Sequence, residues 1–346
     1  MLRVSTFMAV AIAAILMVGS LQSRLPESDP FLIASTNQLV DMKDVRPHKK
    51  NGLKLRHNKS MGGFDIGIFG NSRSLNLTKT DLGLKDCSFF NFSVGGESIR
   101  SSILLLERMV ENRSAPKVAM VSVDNFEIQM YSNPSAFKTS ARWASHYHDI
   151  MAGFWGQEIS VRDVAKMLWR VTRDEFLAFQ QLFQTEYIKR DLIFVAEQSA
   201  HHFDTISGSG LGFRSDGSRV PLTKERNVQA PRLLKPGSPQ ILLGYFRHDL
   251  NRLSKLQSQG IKIRLFESLL EPKSAYHFGK NPSPAAAASR KVFLQSCREF
   301  GLQCNAMPET PSAPDVIWAD ATHSPGLILG KYLNQIAANE LRMCRS

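Results

Sequence analysis

Apolar positions along this chain fall into short continuous runs, separated by stretches where they recur every three or four residues. The first run, Phe64 to Phe69 (FDIGIF), ends at Gly70. A second, Cys87 to Val94 (CSFFNFSV), ends at Gly95-Gly96, and a third, Val118 to Val123 (VAMVSV), ends in Asp124-Asn125. Continuous runs closed by turn residues suit strands buried on both faces of a parallel sheet. Between the second and third, Ile99, Ile103, Leu106 and Met109-Val110 follow helical spacing over Ser98 to Asn112. The segment after the first run, SRSLNLTKTDL, opens with small polar residues suited to capping a helix. Farther on, a helix is expected over Ile241 to Gln259, closed by Gly260, and a strand over Ile261 to Phe266. A helix over Pro284 to Phe300, the short run Val316 to Trp318 and a terminal helix from Pro325 to Leu341 complete the series. This alternation predicts an α/β fold with a doubly wound, flavodoxin-like parallel sheet and right-handed crossovers. Functional side chains are then expected just beyond the carboxyl ends of the strands, at Gly70-Asn71-Ser72, Gly95-Gly96 and Asp124-Asn125.

The flanking segments differ in character. Arg3 precedes an apolar run from Phe7 to Val18. That run is shorter than the ~20 residues of a comfortable membrane span. Residues 1–23 therefore read as a signal-anchor or a cleaved signal peptide, with small residues near Ser20 and Ser23 but no A-x-A site. Either reading places the rest of the chain on the periplasmic or extracellular side. Residues 24–60 are polar, with prolines and bases, and are expected to form a stalk or loosely packed lead-in to a domain over 61–346. Residues 127–239 break the alternation. They hold an aromatic-rich segment near Trp143 to Trp155, a helix over Val161 to Phe183 and the loop GSGLGFRSDGSRV, and read as an insertion or lid.

A hydrophobic fraction of 43% with 21% charged residues is that of a globular chain with a sizeable core, which excludes a disordered or fibrous one. The net charge of +12 suits nucleic acid, anionic lipid or an acidic polymer. No zinc-finger spacing or aromatic RNA-binding motif is present, which argues against nucleic acid. The one basic cluster, Lys49, Lys50, Lys54, Arg56 and Lys59, is expected near a membrane surface. Of the four cysteines, Cys297 and Cys304 are spaced to close a small disulfide loop. Cys87 reads as an inert buried thiol, and Cys344 as free or paired. Without C-x-x-C or H-E-x-x-H spacing, and with His146-Tyr147-His148-Asp149 far from His201-His202-Phe203-Asp204, neither metal nor cofactor is expected.

Acyl transfer through serine needs a nucleophile, a base within hydrogen-bond reach and a group that orients the base. Asp320-Ala-Thr-His323 supplies the last two in one turn, and Ser72 stands where a strand end opens into a turn whose amides face an oxyanion. Helix capping is the bland alternative for Ser72. No G-x-S-x-G elbow occurs.

Together, these pieces resemble the SGNH (GDSL-like) hydrolase superfamily from about Asp65 onward. Gly70-Asn71-Ser72 is similar to its Gly-Asp-Ser block, NFSVGGES to its glycine block, and Asp320-x-x-His323 to its final block. The resemblance implies a three-layer α/β/α domain with Ser72, Asp320 and His323 as the triad. It implies an oxyanion hole of Ser72, Gly96 and Asn125. The third block departs: Val123-Asp124-Asn125-Phe126 stands where Gly-x-Asn-Asp is usual. The membrane-tethered relatives that this sequence resembles are esterases or O-acyltransferases of envelope sugars and exopolysaccharides. The implied partner is a polysaccharide or another acylated envelope polymer, with Arg73, Arg214 and Asp216 as substrate-binding residues. The alternative is an inactive descendant that binds polysaccharide or assists a membrane acyltransferase.

Overall fold

The structure, a computed structural model, describes residues 28–34, 38–42, 45, 47–124, 205–207, 212–220, 243–270, 284–307 and 323–344, together with Ala13. The described helices are α1 (Pro30–Ile33), α2 (Pro47–Ser60), α3 (Ile99–Glu111), α4 (Leu243–Ser258), α5 (Pro284–Glu299), α6 (Gly326–Ile336) and α7 (Ala338–Leu341). The strands are β1 (Gln38–Val40), β2 (Ile66–Phe69), β3 (Phe89–Asn91), β4 (Val118–Val123), β5 (Thr205–Ser207), β6 (Lys262–Glu267) and β7 (Gln303–Asn305).

Five strands form one all-parallel sheet in the order β3-β2-β4-β6-β7. Numbered along the chain within the sheet, this is 2-1-3-4-5, an order found among doubly wound α/β folds. Strand side chains alternate between faces, and apolar residues occupy both. Ile66, Ile68, Val118, Met120 and Phe266 enter one core, with Leu77, Leu82, Ile328, Leu329 and Leu333. Phe69, Ala119, Val121, Val123, Ile263 and Leu265 enter the other, with Leu53 of α2, Ile103 of α3, Leu250 of α4 and Phe293 of α5. Helices therefore cover the sheet on both sides. The separate β1–β5 pair is antiparallel and is tied to the 212–220 loop by mutual bonds between Val40 and Phe213, at 3.0 and 2.9 Å.

Two described chain segments, residues 71–87 and 323–344, make up most of the layer on the first face, joined by Leu269, Leu270 and Met307. They approach very closely. A Cβ on Gly326 would lie 2.4 Å from Asp81 Oδ2, and one on Gly330 only 2.2 Å from the Asp81 carbonyl oxygen. At their far ends, Lys85 N–H donates to the Cys344 carbonyl at 2.9 Å.

Four features differ from the sequence reading. Cys87 is not a free thiol: it forms a disulfide with Cys344, while Cys297 pairs with Cys304. No helix follows β2. The segment from Asn71 is a series of turns, because the carbonyls of Ser74, Leu75 and Leu77 accept from the Asn91 side-chain amide at 2.9, 3.3 and 2.9 Å. Within the stretch read as a stalk or lead-in, α2 packs on the domain and buries Leu53, Lys49 and Lys54. Its contact face is largely polar, so hydrophobic periodicity does not reveal it. Finally, β7 is short and polar, yet pairs in register with Arg264 to Phe266. Val316 to Trp318 lies outside the described residues, as does all of 127–239 except 205–207 and 212–220. Among the described residues, no helix is long and apolar enough to cross a membrane.

A disulfide that closes so long a loop stabilises chiefly by restricting the unfolded chain. Replacing both Cys87 and Cys344 by serine is expected to lower stability by about 2–5 kcal/mol. The measurement is the denaturant midpoint; an unchanged midpoint would show that the bond adds nothing.

Candidate active site

β2 ends at Phe69, and Gly70 continues the chain with φ 153°. A Cβ at Gly70 would lie 2.5 Å from Ser74 Oγ and 2.6 Å from Ser122 Cβ, so only glycine lets this turn close against β4. Ser72 follows, half-buried, at the carboxyl end of the strand from which the chain winds in both directions. Open α/β sheets form their crevice at that point. His323 comes from just before α6, and its Nε2 lies 2.8 Å from Ser72 Oγ. With the imidazole proton on Nδ1, the hydroxyl donates to Nε2.

The loop after β3 closes another side of the serine. A Cβ on Gly95 would lie 3.6 Å from Ser72 Cβ, whereas Gly96 (φ 82°) is exposed, with nothing near its Cβ position. Gly95 is thus the glycine in closest contact with the serine. The surrounding amides are engaged: Arg73 N–H donates to Asn71 Oδ1, Val94 N–H to the Gly70 carbonyl and Glu97 N–H to the Val94 carbonyl. Among the described residues, no group accepts from the amides of Ser72, Gly95 or Gly96.

Both neighbours of Ser72 reach the end of β4. Asn71 Nδ2 donates to Asp124 Oδ2 at 3.0 Å, and the Arg73 guanidinium forms an ion pair with Asp124 Oδ1. All three residues are buried. A buried carboxylate requires such compensation. The two side chains that flank the serine supply it and fix the backbone between them. An aspartate at position 71 would instead face a second carboxylate.

A further polar layer lies beneath this one. Asn91, at the end of β3, holds the turn after Ser72 through the three carbonyl bonds already described. Ser93 Oγ and Ser74 Oγ are 2.8 Å apart. Below them, Lys54 Nζ of α2 donates to the carbonyls of Asn91, Ser93 and Gly217 at 2.6, 2.8 and 2.9 Å. Lys54, Asn91, Ser93 and Ser74 are all fully buried. Burial holds the lysine well below its ordinary pKa, opposed by the charge of Asp216 and reinforced by that of Lys50.

The structure thus brings Ser72 and His323 together and sets Gly95-Gly96 beside them. Asp320 and Asn125 lie outside the described residues, as do His146 to Asp149 and His201 to Asp204. The three residues expected to bind substrate have other partners. Arg73 faces Asp124. Arg214 donates to Ser218 Oγ and the Arg219 carbonyl at 3.1 and 3.3 Å, and Asp216 Oδ1 accepts from Ser218 N–H and Oγ at 3.0 and 2.6 Å. Sequence reasoning missed Lys54 and Asn91. The second carried a signal, since an asparagine between phenylalanines in a buried strand must find hydrogen-bond partners. Among the described residues, no group of three or more His, Cys, Asp or Glu side chains is arranged to hold a metal ion.

Comparison of the chain with protein-family models, with curated proteins and with solved structures finds no match. Its fold and site define an α/β protein with a serine–histidine pair at the carboxyl ends of a parallel sheet.

The Asn71–Asp124 contact generates a reciprocal prediction. Asn71→Asp is expected to cost about 2–4 kcal/mol, because it leaves two carboxylates together in a buried site. Adding Asp124→Asn should recover more than half, since the pair again holds one carboxylate and one amide. Denaturant midpoints of the two single variants and the double variant measure the coupling. Strict additivity would mean that the two side chains do not interact.

Proposed function

We propose that this protein is an SGNH-type serine esterase or O-acyltransferase that acts outside the cytoplasm on acylated sugars of the cell envelope or an exopolysaccharide. The observation that carries this reading is the 2.8 Å approach of Ser72 Oγ to His323 Nε2 at the carboxyl end of β2. The amides of Ser72, Gly95 and Gly96 beside it, which have no acceptor among the described residues, support the same chemistry. The sheet order is that of a fold compatible with the SGNH class. The N-terminal apolar run, residues 7–18, is the basis for proposing that the domain is held at a membrane and faces the periplasm or the exterior.

In this reading, His323 accepts the hydroxyl proton as Ser72 Oγ forms a bond to an ester carbonyl carbon. Asp320 orients the imidazole from the other side. The developing oxyanion meets the amides of Ser72 and the Gly95-Gly96 turn, with the Asn125 side chain as a further donor. The carbon–oxygen bond to the leaving alcohol breaks, and that oxygen takes the proton from His323. Water or a sugar hydroxyl then attacks the acyl-serine and gives its proton to His323, which returns it to Ser72. Water as acceptor makes the protein an esterase; a sugar hydroxyl makes it a transferase. The choice depends on how well water is excluded.

Labelling the full chain with a fluorophosphonate probe tests this reading. Wild type should label at a single site, and Ser72→Ala and His323→Ala should each reduce labelling to background. Removing one oxyanion donor would cost about 10²–10³ in rate. A folded wild type that does not label, or a Ser72→Ala variant that labels equally, would end the proposal.

A further inference from the structure

Lys54 is a fully buried charge that the proposed reaction does not use. It projects from the middle of α2, whose basic residues were expected near a membrane surface. Yet it is fully buried, and its Nζ sits 5.9, 5.7 and 5.4 Å from the ring centres of Phe31, Phe90 and Phe213. An ammonium has three N–H donors. Here three carbonyls, from Asn91, Ser93 and Gly217, take them within 2.9 Å. These acceptors belong to different parts of the molecule. Asn91 ends β3, Ser93 begins the loop that leads to Gly95-Gly96, and Gly217 lies in the 212–220 loop. Asn91 and Ser93 in turn grip the turn after Ser72 through Asn91 Nδ2 and the Ser93–Ser74 hydroxyl pair.

We propose that Lys54 is a positioning residue: its ammonium holds the Gly95-Gly96 loop in register with Ser72, and loss of its proton closes the alkaline side of the activity. This inference rests on the serine-hydrolase reading above. A neutral amine has only two N–H donors for three carbonyls. One acceptor is then left without its donor in a buried site, and the loop between Asn91 and Gly96 loses an anchor.

The charged groups that face Lys54 make the proposal separable from ordinary stability. Asp216, on the 212–220 loop, favours the ammonium, whereas Lys50, one turn earlier on α2, disfavours it. His57, on the same helix, is bonded to Asp29 at 2.8 Å. Glu97, at the start of α3, is bonded to Asn51 and Ser101. From β3 and the loop after it, the described groups bonded to the ammonium are the uncharged carbonyls of Asn91 and Ser93. The sign of the stability effect also differs from that of the activity effect. Because burial lowers the folded-state pKa of Lys54, the unfolded chain binds more protons between that value and the ordinary lysine value. This group therefore makes stability rise with pH through that window, while the proposed activity falls.

The experiment is the pH dependence of fluorophosphonate labelling of Ser72 in the full chain, with the denaturant midpoint measured alongside. In wild type, labelling should fall on the alkaline side at a pH below the ordinary lysine range. Asp216→Asn should shift the alkaline fall to lower pH, and Lys50→Gln should shift it to higher pH. Lys54→Met should remove that fall and reduce the neutral-pH rate roughly tenfold or more, short of the 10²–10³ for a lost oxyanion donor. If Lys54→Met does not fold, the two neighbour variants still decide. An alkaline fall that neither variant moves, or that both move in one direction, overturns the assignment to Lys54. So does a wild-type rate that stays flat through the lysine range. Absence of labelling in folded wild type at every pH would count against the hydrolase reading itself, a result distinct from labelling whose alkaline side does not respond.

Discussion

Ser72 and His323 stand 251 residues apart in sequence, and the two segments that carry them make up most of the layer on one face of the sheet. Residues 71–87 and 323–344 pack directly on one another through Leu77, Leu82, Ile328, Leu329 and Leu333. Their backbones come so close that a single methyl group on Gly326 or Gly330 would collide with Asp81. Well-packed interiors transmit such constraints with little compliance. The serine–histidine distance is therefore set by a packing surface that extends beyond either side chain. The sheet fixes the start of the first segment, and the Cys87–Cys344 bond ties the far ends of both.

Charge on this chain is organised inward as much as outward. A surplus of +12 suggests a basic surface. Several of its arginines are nonetheless committed to acidic partners within the fold: Arg73 to Asp124, Arg100 to Asp249, and Arg290 to Glu267. The last pair is bidentate, with both distances 2.8 Å, and Glu267 also accepts from Met307 N–H at 2.7 Å. Geometry of that kind fixes orientation as well as supplying energy. Asp124 and Glu267 lie at or just beyond the carboxyl ends of adjacent strands, β4 and β6. The strand ends that frame the site are thus braced by ion pairs as well as by the ladder itself.

The parts of this arrangement that follow periodicity were legible in the sequence. The apolar runs at 64–69, 87–94 and 118–123 contain β2, β3 and β4, the run at 261–266 covers β6 except its last residue, and the helices at 98–112, 241–259 and 284–300 contain α3, α4 and α5. Ser72 stood out at a strand end, where such sheets concentrate function, and His323 through the Asp320-x-x-His323 spacing. The features that were not legible depend on tertiary partners. A lysine in a polar helix looks solvated until its three carbonyls are in place, and Cys87 in an apolar run looks the same as a thiol or as half of a disulfide. The turns after β2 replaced an expected helix because Asn91, outside that segment, competes for its carbonyls. β7 has too little apolar character to stand out, and only register against β6 defines it.

The Cys87–Cys344 bond also imposes an order of assembly. It spans 257 residues, so it closes only after all the chain between its ends has been made. Ser72 is synthesised early, together with β2, β3 and β4. Its histidine arrives with the last described helices and is locked in place when the bond forms. Until then the nascent polypeptide carries Ser72 without His323, so the pair is completed only after synthesis has passed the C-terminal helices.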